Sequence, residues 1–397
     1  MRITYFADVR FPLERANGIQ TMETCYALVK RGHSVDLIVR PDTHTPARDP
    51  FTYYGLSPDK ALSVERAQVS GPAAAKRLGY IAFAIGRAIG TTRADVLLTR
   101  DLGVASALLR LPRSVRPPLV YESHGYAPDV AAALPALVAT ASTPSPQKLR
   151  RLATREARVW QRADGYVTIT AALLDELKGR FGSRPRTAVV PDGVRIARPE
   201  HRAPAHAVDE RPGVVAYAGH LYSWKGVDVL LEAIAGLPEA RGLIIGGHSA
   251  EPDLARTKAV AARLGIAERV TFTGLVEPAR VPELLAQADV LVLPNPASAI
   301  STRYTSPLKL FEYMAAGRPI VSSDLPSIRE ILRDGVNALL VAPGDPIALA
   351  SAIDRLLKDP ALAARLVRAA LDEVPNYSWQ RRAERLDTLF TETIAGG

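Results

Sequence analysis

Arg303-Tyr-Thr-Ser-Pro-Leu-Lys309-Leu-Phe-Glu312-Tyr-Met-Ala-Ala-Gly317-Arg-Pro-Ile-Val-Ser-Ser-Asp324, followed by Pro326-Ser-Ile-Arg-Glu330, reads as a loop, a helix, a strand and the start of a second helix. Ser306 suits an N-cap and Pro307 a first helical position, so a helix is predicted to begin there with unpaired N–H groups facing whatever lies in front of it. Such a helix start accepts an anion. Lys309 adds a cation near its mouth, and Glu312 lies far enough along to reach a second group such as a ribose diol. Gly317 and Pro319 stop the helix before a short apolar strand that opens with Ile320-Val321. Taken alone, the helix is equally well a surface element in which Lys309 and Glu312 pair at i,i+3, worth about 0.2–0.5 kcal/mol, while Ser306 only caps.

Around this stretch, 397 residues are too many for one ordinary core, and two domains of nearly equal size are expected. A hydrophobic content of 47% is ample for both. No run of 18 apolar residues appears, and Met1-Arg-Ile-Thr-Tyr-Phe-Ala7 looks like a strand rather than a signal core, so the expectation is a cytoplasmic protein. The single cysteine, Cys25, leaves no internal disulfide or cysteine metal cluster and fits a core position. Net charge is +9 and uneven: residues 1–195 hold 28 basic and 17 acidic side chains, the remainder 22 and 24. A basic first half suits an anionic membrane leaflet, a phosphate-bearing acceptor or nucleic acid, although compositional bias toward arginine would give the same count.

Strand-like and helix-like segments alternate along the chain. The first half reads as strand 2–7, helix 20–31, strand 35–39, helix 73–92, strand 95–99, helix 103–110, strand 118–122, helix 147–163, strand 165–169, helix 171–180 and strand 187–190. Segments 41–62 and 141–146 interrupt this rhythm and read as irregular loops. A Pro-punctuated connector at 191–212 marks the domain boundary, giving domains 1–195 and 196–375. Alternation then resumes with strand 213–218, helix 225–235, strand 242–246, helix 251–264, strand 269–273, helix 278–288 and strand 289–293, and closes with helices near 346–357, 360–371 and 378–392. The pattern predicts α/β architecture, two doubly wound, Rossmann-like domains facing across a cleft.

Four further clusters fall where strands give way to helices. Ala16-Asn17-Gly18-Ile19-Gln20 follows the first strand, where a glycine lets backbone approach a ligand or simply serves a turn. Tyr121-Glu122-Ser123-His124-Gly125 ends another strand, and His124 there can bond sugar hydroxyls, move a proton or be satisfied by backbone. Arg100 ends the strand before it and could meet an acidic acceptor. In the second half, Tyr217-Ala-Gly219-His-Leu-Tyr-Ser-Trp-Lys225-Gly226 combines a strand, a glycine-bearing loop and a lysine at a helix start, a phosphate-facing arrangement without P-loop spacing. Gly246-Gly247-His248 and the loop Phe272-Thr-Gly274 complete one edge of that sheet.

The segment from Ser306 to Val321 is similar to the donor-binding segment of retaining GT-B glycosyltransferases of family four, and Lys225-Gly226 and the Glu-x-His of Glu122 and His124 resemble that family too. The resemblance implies a GT-B fold and transfer of a hexose-type sugar from a nucleoside diphosphate sugar, with no cofactor and no metal. It places Gly18, Gly219, Lys225, Gly246, Tyr304, Thr305, Ser306, Leu308, Lys309 and Glu312 on the donor, with Asn17, Arg100 and His124 on the acceptor side. His124 would contact the transferred sugar and Lys225 would neutralise the diphosphate leaving group. It also implies that the last helix crosses back onto the first domain. One position departs from the family: eight residues before Glu312, where a first glutamate usually contacts the hexose, stands Tyr304, so the identity of the sugar is in question.

The expected partners are a nucleotide-sugar donor and a glycan, lipid-linked or small-molecule acceptor. The helix over 147–162 carries Lys148, Arg151, Arg155, Arg158 and Arg162 on one face, which adds an expectation of peripheral contact with anionic membrane at its inner face. A nucleotide-sugar epimerase of the same fold and a catalytically silent sugar-nucleotide-binding protein are the rivals. Nucleic acid is disfavoured because no aromatic-basic binding module is visible, and an oxidoreductase because the dinucleotide fingerprint is missing.

Overall fold

The computed structural model describes residues 1–90, 94–137, 141–196, 212–249, 251–298, 301–302 and 308–396. The chain divides into two compact units: Met1–Ala132, Thr143–Gly193 and Trp379–Gly397 form one, and Ala133–Ser142 with Val194–Ser378 the other.

Seven strands make the sheet of the first unit: β1 (Arg2–Arg10), β2 (Ser34–Arg40), β3 (Leu62–Arg66), β4 (Val96–Thr99), β5 (Leu119–Ser123), β6 (Gly165–Thr168) and β7 (Thr187–Val189). Their order is β3-β2-β1-β4-β5-β6-β7, and every pairing is parallel. Parallel strands need crossovers, supplied by α1 (Ala16–Lys30), α2 (Pro50–Tyr53), α3 (Ala73–Ile89), α4 (Leu102–Leu108), α5 (Ala127–Leu137), α6 (Pro146–Arg162) and α7 (Ala171–Phe181). Because helices cover both faces, central strands are buried along their length: β4 and β6 are buried at every position. Chain order reverses between β1 and β4, so a crevice opens outside the carboxyl ends of these two strands.

The second unit repeats the scheme with β8 (Gly213–Ala218), β9 (Ala240–Ile245), β10 (Val270–Gly274), β11 (Val290–Leu293), β12 (Ile320–Ser323) and β13 (Leu339–Val341), ordered β10-β9-β8-β11-β12-β13. Its helices are α8 (Val227–Ala235), α9 (Pro252–Arg263), α10 (Val281–Leu285), α11 (Leu308–Ala316), α12 (Pro326–Arg329), α13 (Pro346–Lys358) and α14 (Pro360–Glu373). Period-two alternation along β8 sends Val215 and Tyr217 into one core, with Leu230 and Ile353, and Ala216 and Ala218 into the other, with Leu310 and Phe311. Here the order reverses between β8 and β11.

The last helix, α15 (Trp379–Ala395), belongs to the first unit. It buries Trp379, Leu386, Leu389 and Phe390, each worth about 1.5–3 kcal/mol of transfer free energy, and it packs against α1. Gly165 on β6 makes the fit, since a Cβ there would lie 2.7 Å from Thr393 Oγ1.

Several elements depart from the sequence reading, among them the short α2 inside the segment expected as a loop. Strand β3 lies where a loop was expected up to Leu62; it is an edge strand with one buried residue, Leu62, and so lacks the apolar run that marks the central strands. Helix α5 was not anticipated, and neither was the three-residue β13. The helix expected over 278–288 is a 3-10 turn at Pro278–Arg280 followed by the short α10, with Pro282 in its first turn.

Candidate functional site

In the first unit, charged side chains gather at the carboxyl ends of β1, β4 and β5. Glu122, fully buried near the end of β5, accepts from Gln20 Nε2 at 2.5 Å and meets His124 Nε2 at 2.6 Å through Oε1, and accepts from Arg382 Nη2 at 2.5 Å through Oε2. Arg100 donates to Gln20 Oε1 at 2.8 Å, which joins the ends of β4 and β5. Burial would raise the Glu122 carboxyl, but the Arg382 charge, the His124 hydrogen bond and Arg100 outweigh it and hold the group well below the usual carboxylate range. His124 is pushed down to about 4, by burial first and then by Arg100, against the pull of Glu122, so it is a neutral imidazole at physiological pH. The structure thus brings Arg100 and His124 together through Gln20 and Glu122.

Beside this group, Asp8 at the end of β1 is shared by Arg40 and Arg77, and Arg77 also pairs with both carboxylate oxygens of Asp101, at 2.7 and 2.6 Å. Arg155 on α6 lies among Arg151, Arg77 and Arg110; burial and then these three charges lower its pKa. Arg110, Arg151 and Arg155 form no ion pair among the described residues, although Asp101 acts on Arg155 from a distance. Asn17 accepts from Thr21 Oγ1 at 3.4 Å in the first turn of α1. Gly18 has a packing reason to be glycine: a Cβ there would collide with the Tyr54 hydroxyl and the Leu13 carbonyl oxygen.

In the second unit, the site forms where β8 and β11 diverge. Gly226 opens α8 in the left-handed region at φ 75°, and a Cβ on it would run into the Pro294 carbonyl just beyond β11. This glycine lets the start of α8 sit on the strand end and fixes Lys225 there. Lys225 Nζ lies 3.6 Å from the centre of the Trp224 ring. Lys309, in the first turn of α11, donates to Tyr217 Oη at 2.7 Å and lies 3.9 Å from the centre of that ring. Gly219, at φ 135°, leaves room for it, since a Cβ would sit 2.8 Å from Lys309 Nζ. Gly246 packs against the Gly219 carbonyl and donates to Thr273 Oγ1 at 3.1 Å, which draws the β8, β9 and β10 ends together.

Neither ammonium has a carboxylate partner within ion-pair distance among the described residues; Glu312, half-buried one turn along α11, acts on Lys309 only through space. Burial pushes Lys225 down to about 7. Lys309 falls well below the ordinary lysine value, through burial and then repulsion from Lys225, with Glu312 opposing. Two lysines that repel one another when charged and form no ion pair among the described residues would be relieved by an anion. Leu308 is buried at the start of α11. Tyr304, Thr305 and Ser306, together with the predicted cap and Pro307, lie outside the described residues.

Several members of the site escaped the sequence reading. Arg382 looks like a surface residue between Arg381 and Glu384, and Gln20 like part of a helical polar face; only their burial, at 2% and 1% exposure, shows otherwise. Tyr217, Tyr222 and Glu251 carry no motif. The rings of His220 and Tyr222 stack 5.1 Å apart, those of Tyr222 and Trp224 lie 6.2 Å apart, and Glu251 bonds both His220 and Tyr222. Alternation of ring residues at 220, 222 and 224 was the available signal.

Two parallel, doubly wound units, each with polar groups at the carboxyl ends of its strands, define the class of GT-B proteins, and known proteins share the arrangement. The model described as Glycosyltransferase Family 4 matches residues 18–198, and that described as Glycosyl transferases group 1 matches residues 212–359. A D-inositol 3-phosphate glycosyltransferase of Acidothermus cellulolyticus is 33% identical over 70% of this chain and 62% of its own length. The corresponding protein of Nocardia farcinica is 32% identical over 68% of this chain, and again only 60% of its own length is spanned. An alpha-D-kanosaminyltransferase of Streptomyces kanamyceticus is 30% identical over 47% of each chain. Among solved structures, sucrose-phosphate synthase from Thermosynechococcus elongatus superposes with a TM-score of 0.78 at 19% identity over 100% of both chains, and Anabaena HepE in complex with UDP-glucose with 0.74 at 18% identity, also over 100% of both. The chain belongs to family four of the glycosyltransferases and has the GT-B fold.

Proposed function

We propose that this protein transfers a hexose-type sugar, with retention of configuration, from a nucleoside diphosphate sugar to an acceptor that carries a phosphate or comparable anion. The observation that carries the reading is the pair Lys225 and Lys309, two lysines that form no ion pair among the described residues, set on glycine-cleared strand ends of the second unit. A diphosphate is the anion that uses both. Their charge counts most as the bond to the sugar breaks and the leaving diphosphate gains negative charge, which supplies the electrostatic part a divalent metal takes in other transferases. Glu312 is suited to accept from the ribose hydroxyls, and Gly246 to admit the base. In the first unit, neutral His124 is suited to bond a hydroxyl of the transferred sugar. The acceptor hydroxyl then attacks on the face from which the diphosphate departs, and its proton goes to the leaving phosphate oxygen.

Support for an anionic acceptor comes from Arg110, Arg151 and Arg155, neighbouring cations of the first unit that form no ion pair among the described residues, and from relatives named for inositol 3-phosphate. The same basic face of α6 suits a peripheral place on an anionic membrane; among the described residues, no helix is long and apolar enough to cross one.

A panel of nucleotide sugars read by thermal shift tests the donor half. A ligand at 100 times its Kd stabilises by about 2.7 kcal/mol, enough for a clear shift. Turnover in EDTA with phosphorylated acceptors, and its loss with the dephosphorylated forms, tests the rest. If no nucleotide sugar shifts the transition, the reading fails; product formed from donor alone replaces it with epimerisation.

A further inference from the structure

We propose that Arg382 and Glu122 are positioning residues that fix His124 as the tautomer with its hydrogen on Nε2, so that Nδ1 meets the substrate as a bare acceptor and selects a group that donates. The inference rests on the reading of His124 as a substrate-contacting residue in sugar transfer.

The geometry leaves the imidazole little choice. Its Nε2 faces Glu122 Oε1 at 2.6 Å, and an ionised carboxylate only accepts, so Nε2 must carry the hydrogen. Glu122 in turn is locked. Its Oε2 accepts from Arg382 at 2.5 Å, and its Oε1 accepts from the Gln20 amide at 2.5 Å. The Gln20 amide cannot turn, because its own oxygen accepts from Arg100 Nη1 at 2.8 Å.

Arg382 is equally constrained: Nε donates to Thr24 Oγ1 at 2.9 Å, and Nη1 to the Val190 and Pro191 carbonyls at 2.8 and 2.9 Å. Each donor group of the guanidinium has its acceptor, so it stays on Glu122. Two cations, Arg100 and Arg382, then oppose a second proton on the ring. With the ring neutral and Nε2 protonated, Nδ1 is a lone pair without a protein partner among the described residues, on a side chain that remains 22% exposed.

A helix at the far end of the sequence therefore decides the hydrogen-bond polarity of a residue at the end of β5. The open edge of His124 pairs with a hydroxyl hydrogen. A substrate position bearing only acceptors, such as fluorine or an ether oxygen, would face lone pair against lone pair.

Long-range proton–nitrogen correlation on the full chain, labelled with nitrogen-15 in histidine and assigned through His124→Gln, reads the tautomer directly. The wild-type ring is expected as the Nε2–H form. In Glu122→Gln, the Arg382 charge claims the new amide oxygen and the NH2 turns toward the imidazole, displacing the Gln20 Nε2 that shared Oε1, so His124 switches to the Nδ1–H form. Turnover should then fall about 10–100-fold, as for other supporting partners of a working histidine, with donor KM nearly unchanged. Arg382→Lys keeps a charge on Glu122 and retains the wild-type tautomer. An Nδ1–H ring in the wild type, or an Nε2–H ring that persists in Glu122→Gln, overturns the proposal. If no nucleotide sugar turns over and yet the tautomer switches as described, the transferase reading falls and the positioning relay stands.

Discussion

The two units treat buried charge in opposite ways. In the first, Glu122, Arg382, Asp8, Arg77 and Asp101 satisfy one another, and their hydrogen bonds fix the geometry of the strand ends. In the second, Lys225 and Lys309 have an aromatic ring each and, among the described residues, no carboxylate within ion-pair distance. Paired charges hold a shape, whereas unpaired ones store an unfavourable interaction that an anion relieves. On the proposed function, the same residue types serve as scaffold in one unit and as binding site in the other, and exposure alone does not tell them apart.

The hardest blow to this contrast comes from Arg382→Met. Leaving Glu122 buried without its cation should destabilise the chain by about 3–5 kcal/mol, read as a lower urea midpoint; an unchanged midpoint would remove the structural role of the pair. Lys309→Ala and Lys225→Ala should act the other way round, with little loss of stability and a fall of about 10²–10³ in kcat/KM, judged from the loss of a preorganised charge at the leaving group. Were both to unfold the protein instead, the lysines would belong with the scaffold.

Gly226→Ala should cost about 2–4 kcal/mol, from the left-handed backbone and the collision with Pro294, and should shift the melting temperature and nucleotide affinity together. Glu156 is an exception inside the first unit. One oxygen accepts from the Ala127 amide at 3.1 Å, the other has no partner among the described residues, and burial raises the carboxyl to about 7. Between the unfolded value of 4.5 and 7 the folded state holds the extra proton, so stability falls as pH rises through that window. Glu156→Gln should leave stability unchanged at pH 4 and raise it by about 1–3 kcal/mol at pH 8, as thermal denaturation at the two pH values would show.

The smallest effect sharpens the contrast most. An anion favours the charged form of Lys225, whose free value is about 7. Affinity for the nucleoside diphosphate found by the donor panel should hold up to that pH and then weaken by as much as about tenfold per unit, with proton uptake seen by calorimetry in two buffers.

Much of the fold could be read along the chain because apolar runs of strand length recur between helical patterns. Strand 213–218 and helix 171–180 lie where expected, to within a residue. What escaped was weakly patterned: β3 buries a single residue, and β13 has three. Within the site, Lys225, Lys309 and His124 were legible because glycines, helix starts and strand ends mark their places. Arg382 was not, since one arginine among several on a terminal helix carries no sign of burial.

The sequence alone determined two doubly wound halves, the glycines that permit close approach at 219, 226 and 246, and the side chains available for an anion. Those follow from periodicity and from steric limits on single residues, which are local properties. Only the tertiary structure decided which charges neutralise one another. Whether Glu122 meets Arg382, 260 positions away, or Lys309 meets Tyr217, 92 positions away, depends on packing that brings distant segments together and removes water from between them.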